Sequence, residues 1–171
     1  GASLYLIIFL FILVLRYAGL LFFSLSEHFI RVFTGKEHFI STQVDQRALP
    51  MVSIIVPAYN EGLVIEGALR HLLELDYKNY EIIVVDDGST DDTYKKALAT
   101  ASASVDRRIR VITKINGGKA NALNAGAAIA RGDLILNMDG DTKLSKRALL
   151  SAVKHFDDPK IGGVAGNVKV L

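Results

Sequence analysis

Short apolar runs alternate with helical patterns from Val52 onward, and this alternation limits the possible folds more than any other feature of the sequence. The predicted strands are nearly continuous in apolar residues, as expected for a parallel sheet that is buried on both faces. Helices would cover the two faces, and right-handed connections make the predicted architecture α/β and Rossmann-like. The predicted strands are Val52–Val56, Glu81–Val85, Ile109–Thr113, Asp133–Met138 and Gly163–Val170, and the predicted helices are Val64–Leu75, Asp91–Ser102, Gly117–Ala130 and Ser145–Phe156.

Polar clusters follow three of the predicted strands. In open parallel sheets, ligands bind outside the carboxyl ends of the strands. We therefore expect the three clusters to belong to one binding site. They are Tyr59-Asn60-Glu61 after the first strand, Asp86-Asp87 after the second, and Asp139 with Asp141 after the fourth.

The acids Asp139 and Asp141 come directly after an apolar strand, separated by Gly140. Two like charges in such a place repel each other and resist desolvation, so they need a counter-charge or open water. In an extended segment the two side chains would point the same way, and Gly140 would leave space for a phosphate-bearing ligand. The hypothesis is a metal–diphosphate site, and the alternative is an Asp-Gly turn with solvated acids.

Composition excludes several classes of function. The chain has 171 residues, room for about one domain, and half of its residues are hydrophobic. Lysine and arginine total 20 against 18 acids, for a net charge of +2. With no basic block, this balance argues against nucleic acid as a partner. The absence of cysteine excludes disulfides, thiolate metal sites and cysteine nucleophiles.

The stretch Leu4–Phe23 is apolar apart from Arg16, and it reaches the roughly 20 residues of a membrane span if Arg16 is counted inside it. The sequence therefore predicts a transmembrane helix in residues 1–26 and a juxtamembrane linker in 27–50, in which Glu27–Phe33 form an interfacial turn of helix. A cleaved signal peptide and a buried helix of a soluble domain are the alternatives. Basic residues that follow the helix predict that the downstream part faces the cytoplasm from the plasma membrane, with lipid as a partner. They are Arg31, Lys36 and Arg47.

Four motifs occur in an order that resembles family 2 glycosyltransferases with the GT-A fold. The resemblance covers residues 51–171, and the predicted membrane helix with the Gly-Gly-Lys-Ala-Asn block is most similar to the processive, membrane-embedded synthases of cellulose, chitin, hyaluronan and poly-N-acetylglucosamine. The motifs are Val52–Glu61, Val84–Asp91, Asn116–Asn124 and Asp139–Asp141.

The resemblance implies a site for the donor nucleotide. Asp87, together with Asp86, would accept hydrogen bonds from the uracil and ribose of a UDP-sugar; the alternative is a local turn and helix cap. Pro57 and Tyr59 would line the base pocket, although Tyr59 alone is equally consistent with a packed loop aromatic. Glu61 would lie near the nucleotide or support the loop, or serve only as an acid at the start of a helix.

The resemblance also implies a diphosphate and metal site. Lys119 would contact the diphosphate, the alternative being a solvated lysine in the first turn of a helix. Asp139 and Asp141 would hold Mg²⁺ or Mn²⁺, with the metal and Asp139 next to the phosphates. The general base of the family is expected downstream, so no catalytic residue is assigned here. Both ends look cut, and the chain is expected to be the donor-binding half of a longer enzyme, binding UDP weakly and transferring little or no sugar.

The function that follows is inverting transfer of a sugar from a UDP-sugar to a growing polysaccharide or oligosaccharide acceptor. UDP-N-acetylglucosamine and UDP-glucose are the expected donors. One alternative is a non-processive transferase that acts on a lipid-linked or protein acceptor. An alternative from another class is a receiver-like signalling module, in which acids at strand ends bind magnesium without transferring sugar.

Overall fold

The computed structural model describes residues 2–33, 49–105 and 107–166. The chain divides into two compact units, Gly1–Gln43 and Val44–Leu171. In the first unit, helix α1 spans Ala2–Phe33 and thus includes Glu27–Phe33, the part of the linker that was predicted to be helical. The rest of the predicted linker, from 34 to 48, lies outside the described residues.

No helix among the described residues has both the length and the apolar character that a membrane crossing requires. The transmembrane helix predicted within residues 1–26, which depended on counting Arg16 inside an apolar run, is therefore not supported.

The second unit is built on a parallel sheet of four strands in the order β3-β2-β1-β4. This is the order of the first four strands in the Rossmann arrangement, and it differs from the 2-1-3 order of receiver-like folds. The register places Ala58 opposite Asp86, and Asp86 opposite Thr113, so these three strands end together. The predicted Rossmann-like sheet is thus confirmed. The strands are β1 (Val52–Ala58), β2 (Tyr80–Asp86), β3 (Ile109–Thr113) and β4 (Leu134–Asn137).

Helices cover both faces of this sheet, and alternate residues of the buried strands point to opposite faces. One face carries the larger apolar cluster, in which Ile54 and Ile82 pack with Leu69 of α2. The other face carries a smaller cluster, in which Ile55 and Ile83 join residues of α4. The helices are α2 (Ile65–Leu73), α3 (Thr93–Ala103), α4 (Lys119–Ile129) and α5 (Ala148–Val153), and a 3₁₀ turn follows at Lys154–Asp157.

Helix α3 begins two residues later than the apolar pattern predicted. The carboxylate Oδ1 of Asp91 accepts the backbone N–H of Thr93 at 2.9 Å, as well as its hydroxyl. Asp91 therefore lies before the helix and satisfies one of its first free N–H groups, instead of occupying the first helical turn.

Two predictions near the end of the chain were wrong in extent. The last helix was predicted to span Ser145–Phe156, but α5 begins at Ala148 and gives way to the 3₁₀ turn after Val153. The backbone carbonyl of Ser145 accepts the N–H of Ala148 at 2.9 Å, so this residue contributes a turn and no side-chain cap. Residues 163–166 do not form a strand, and the remainder of the predicted strand Gly163–Val170 lies outside the described residues.

Candidate functional site

A cleft of about 500 Å³ lies at the carboxyl ends of β1, β2 and β4. Because these strands are neighbours in one parallel sheet, loops that are far apart in sequence meet at this edge. Seven of the eight residues predicted for the site line the cleft: Pro57, Tyr59, Glu61, Asp87, Lys119, Asp139 and Asp141. Ala58, Asn116, Gly118 and Ala122, which sequence reasoning did not assign to the site, complete the lining.

Asp86 is the predicted residue that does not line the cleft. Its side chain is only 2% exposed, and its Oδ2 accepts the hydroxyl of Thr113 at 2.8 Å. The other oxygen, Oδ1, is buried without a hydrogen-bond partner in the structure. Asp86 thus joins the ends of β2 and β3, and its predicted contact with a nucleotide stays a prediction.

Asp87 is buried, and both of its carboxylate oxygens accept hydrogen bonds from one loop, residues 114–118. Oδ1 accepts the ammonium group of Lys114 at 2.6 Å and the N–H of Gly117 at 3.0 Å, and Oδ2 accepts the N–H of Gly118 at 2.7 Å. The bond from Lys114 lowers the pKa of Asp87 below its ordinary value, against the effect of burial, and the two glycine N–H groups lower it further. The carboxylate is therefore held in its ionised form.

The role of Lys114 was missed by sequence reasoning. It follows β3 directly, its side chain is 22% exposed, and its ammonium group also donates to the carbonyl of Ile115 at 2.6 Å. These bonds tie the segment 114–118 to the end of β2, so that Asn116 and Gly118 form one wall of the cleft. The sequence does place a lysine between a strand and the Asn-Gly-Gly sequence, which could have drawn attention to Lys114. Its partner, Asp87, lies 27 residues earlier in the chain, so the sequence did not reveal the pair.

The loop after β1 is fastened to the loop after β2. Asn60 adopts a positive φ of 54°, its N–H donates to the hydroxyl of Ser89 at 2.9 Å, and its Oδ1 accepts the N–H of Thr90 at 2.9 Å. The N–H of Glu61 donates to the hydroxyl of Thr93 at 2.8 Å. These bonds hold the loop that carries Tyr59, a residue that is 50% exposed at the cleft and is not packed in the core.

The Asp-Gly-Asp segment is a turn and not an extended strand. The N–H of Thr142 donates to the carbonyl of Asp139 at 3.0 Å, and both acids still line the cleft. The space above Gly140 is also filled differently from the prediction, because a Cβ on Gly140 would overlap the carboxylate of Glu61. Gly140 therefore makes room for a side chain of the same chain and not for a phosphate.

Among the residues of the site, Glu61 has a carboxylate in an unfavourable electrostatic environment. Its Oε2 is buried and has no hydrogen-bond partner in the structure. Burial raises the pKa of this carboxyl, and the nearby Asp141, Asp139 and Asp91 raise it further, while Lys119 acts in the opposite direction. A protonated Glu61, or an added cation, would relieve the repulsion.

Lys119 and Asp139 are paired with each other in the cleft. The ammonium group of Lys119, the first residue of α4, lies 2.5 Å from Oδ1 of Asp139. Both side chains are exposed, at 61% and 53%. The lysine predicted for a diphosphate and a carboxylate predicted for a metal therefore contact each other directly.

Comparison with known proteins identifies the family. The model of the family described as glycosyl transferase family 2 matches residues 53–170, which contain the cleft and, apart from Val52, the whole sheet. The chain belongs to glycosyl transferase family 2. The receiver-like alternative is thereby excluded, in agreement with the strand order.

Curated family 2 relatives match the same region. The glycosyltransferase GlyG of Streptococcus pneumoniae is 34% identical over 118 residues, covering 68% of this chain and 38% of that protein. The poly-beta-1,6-N-acetyl-D-glucosamine synthase of Staphylococcus aureus (strain COL) is 36% identical over 120 residues, covering 70% of this chain and 29% of that protein. This chain thus spans well under half of the length of either relative.

Solved family 2 structures share the fold. The mannosyltransferase PcManGT of Pyrobaculum calidifontis, in complex with GDP-Man and Mn²⁺, gives a TM-score of 0.65 at 34% identity, covering 68% of this chain and 35% of that one. TarS of S. aureus in complex with UDP-GlcNAc gives a TM-score of 0.57 at 28% identity, with 71% and 37% covered. These likenesses confirm a GT-A-like parallel α/β fold.

The family 2 cleft has donor atoms suited to a divalent metal. Residues 2–33, 49–105 and 107–166 contain no group of three or more histidines, cysteines or acids placed to hold a metal ion by themselves. Asp139 and Asp141 nevertheless offer hard oxygen ligands at the cleft. Mg²⁺ commonly takes one or two protein carboxylates and completes its shell with phosphate and water oxygens. The two aspartates fit that kind of site.

Proposed function

We propose that this chain is the donor-nucleotide-binding part of a metal-dependent family 2 glycosyltransferase that takes its sugar from a UDP-sugar. The observation that carries the proposal is the meeting of residues from three strand ends, together with Lys119, in one cleft of about 500 Å³. That volume is within the ordinary range of small-molecule sites. The acids Asp87, Asp139 and Asp141 line this cleft.

The residues divide the proposed site into two parts. Pro57, the exposed ring of Tyr59 and the loop fixed by Asp87 would receive the base and ribose. Lys119 would contact the diphosphate at the start of α4, where a helix N-terminus favours an anion. Asp139 and Asp141 would hold Mg²⁺ or Mn²⁺, which when bound neutralises the charge that develops on the departing UDP.

Similarity suggests the donor and the product. TarS was solved with UDP-GlcNAc, and one relative is a poly-N-acetylglucosamine synthase. We propose UDP-N-acetylglucosamine as the donor and inverting transfer to a growing polysaccharide as the reaction of the whole protein. Because PcManGT was solved with GDP-Man, a guanine nucleotide is the competitor that a test must include.

Binding tests this proposal directly. Calorimetric titration of UDP into the purified 171-residue chain with Mn²⁺ should show binding, whereas titration with EDTA should show little. Asp139→Asn and Asp141→Asn should each weaken the metal-dependent affinity roughly tenfold or more, because each removes a charge-assisted contact. Asp157→Asn is the matched control, since this exposed acid lies outside the cleft and should leave the affinity unchanged.

Two results would contradict the proposal. The UDP assignment fails if GDP binds more tightly than UDP under the same conditions. The metal assignment fails if UDP affinity is the same with Mn²⁺ and with EDTA, or if the Asp139 and Asp141 variants behave like Asp157→Asn.

Location at the plasma membrane, with residues 51–171 on the cytoplasmic side, stays a prediction of the sequence. Fractionation of cells that make the chain would test it. Recovery in the membrane pellet after a high-salt wash would agree with the prediction, and release into the supernatant would contradict it.

A further inference from the structure

The contact between Lys119 and Asp139 brings together two groups that are expected to serve different parts of one ligand. The ammonium nitrogen is 2.5 Å from Oδ1 of Asp139, so the two groups form a direct ion pair. A divalent cation that binds Asp139 through this oxygen would have to displace the ammonium group. Lys119 therefore competes with a metal for the same carboxylate.

The charges around the cleft explain why this lysine is held there. Asp141 and the carboxylate of Glu61 also lie at this end of the cleft, and Oε2 of Glu61 is buried without a partner. Among the described residues that line the cleft, Lys119 is the one with a basic side chain. The ammonium group of Lys114, which does not line the cleft, is paired with Asp87. Negative charge therefore draws Lys119 towards Asp139 when no other cation is bound.

The same lysine is well placed to leave Asp139 when an anion arrives. Both partners are more than half exposed, and exposed ion pairs of this kind are weak. Lys119 is also the first residue of α4, where the free N–H groups of the helix favour an anion and disfavour a cation. A diphosphate at this point would interact with the helix N-terminus and with Lys119 at once.

We propose that Lys119 sets the order in which the site is filled, so that the divalent metal is bound together with the nucleotide diphosphate and not before it. In the nucleotide-free chain, the ammonium group blocks Asp139 and keeps the affinity for free metal low. When the diphosphate enters, Lys119 transfers to it and releases Asp139 for the metal. The inference rests on the proposed function and adds a binding order and a selectivity to it.

The test measures Mn²⁺ alone and UDP separately on the 171-residue chain. Free Mn²⁺ is followed by its electron paramagnetic resonance signal, and UDP binding in the presence of Mn²⁺ is followed by calorimetry. Lys119→Met removes the competing charge, and Lys119→Arg retains it. Lys143→Met is the charge-matched control, because Lys143 is an exposed lysine two residues from Asp141 that does not line the cleft.

The expected effects of Lys119→Met have opposite signs. Affinity for Mn²⁺ alone should rise roughly two- to fivefold, as expected for the loss of an exposed competing ion pair. Affinity for UDP with Mn²⁺ should fall roughly tenfold, because a charge-assisted contact with the diphosphate is lost. Lys119→Arg and Lys143→Met should both keep the weak affinity of the wild-type chain for Mn²⁺ alone.

The outcomes separate this inference from the proposed function. If the wild-type chain binds UDP with Mn²⁺, but Lys119→Met leaves the affinity for Mn²⁺ alone unchanged or lower, the binding order is wrong while the donor site stands. Equal gains in Lys119→Met and Lys143→Met would also overturn it, because general charge and not the ion pair would be responsible. Failure of the wild-type chain to bind UDP under any metal condition overturns the proposed function itself.

Discussion

At the scale of single residues, Glu61 shows how the site concentrates negative charge. Its backbone N–H is fixed by Thr93 at 2.8 Å, and its carboxylate is placed over Gly140. Burial raises the pKa of Glu61, and Asp141 and Asp139 raise it further. Such an acid destabilises the folded chain when it is ionised, because the unfolded chain solvates the same charge freely.

Replacing Glu61 with glutamine should therefore stabilise the metal-free chain in a pH-dependent way. Since the pKa is higher in the folded state, the penalty is absent below the unfolded value of about 4.3 and grows as the pH rises above it. Thermal unfolding in EDTA should show equal Tm values near pH 4 and a higher Tm for Glu61→Gln at pH 7. A constant difference across this range would show that repulsion is not the cause.

Lys114 is the residue that holds Asp87 ionised and the segment 114–118 in place. Lys114→Met should raise the pKa of Asp87 towards its ordinary value, since the first cause of its lowering is removed. NMR titration of the Asp87 carboxyl carbon measures this change directly. UDP affinity should fall severalfold as the cleft wall loosens.

Lys114→Arg should restore part of both effects, because it returns the charge to the carboxylate. A role of Lys114 limited to general stability would lower Tm without changing the Asp87 titration, and that result would contradict the positioning role.

At the scale of secondary-structure elements, α4 contributes its first residue, Lys119, to the site and packs closely on the sheet. A Cβ added to Gly126 would lie 2.5 Å from Cγ2 of Ile55 and 3.2 Å from Cγ2 of Val85. Glycine at this position therefore allows the helix to approach β1 and β2. That approach places Lys119, seven residues earlier on the same helix, beside the carboxyl ends of the strands.

Two glycine-to-alanine changes should have opposite effects on stability. In Gly126→Ala the added methyl overlaps fully buried side chains, so the free energy of unfolding should fall by about 1–3 kcal/mol. In Gly67→Ala, on α2, the methyl would meet nothing within 4 Å. This change should raise the free energy of unfolding by up to about 1 kcal/mol. Urea unfolding measures both, and a stabilising Gly126→Ala would contradict the close packing of α4.

At the scale of the whole molecule, the unit Val44–Leu171 contains both apolar clusters of the sheet. It also contains every residue that lines the cleft. Domains with a core of their own can fold independently. A shorter chain of residues 44–171 should therefore unfold cooperatively in urea and bind UDP with Mn²⁺ within about twofold of the full chain, as expected for a unit that folds independently.

Circular dichroism and calorimetry check this expectation. A non-cooperative transition for residues 44–171, or a loss of UDP affinity well beyond twofold, would show that the preceding residues contribute to the fold or to the site.

Sequence alone determined the elements and the edge of the sheet where the site lies. The strands β1 to β4 were all located, and β3 was predicted with its observed bounds, Ile109–Thr113. Strand bounds and helical faces follow from the local spacing of apolar residues, which is written directly in the sequence. Polar residues after three strands then had to meet at one edge, because parallel strands carry their carboxyl ends to the same side.

Only the tertiary structure decided which group each polar side chain contacts. The carboxylate of Asp86 accepts a hydrogen bond from Thr113, and that of Asp87 accepts one from Lys114. The carboxylate of Glu61 fills the space over Gly140. The sequence also could not show that Lys119 and Asp139 pair with each other. These partners are separated by 20 to 79 residues and are set by how loops pack across the sheet edge, a geometry that local periodicity does not encode.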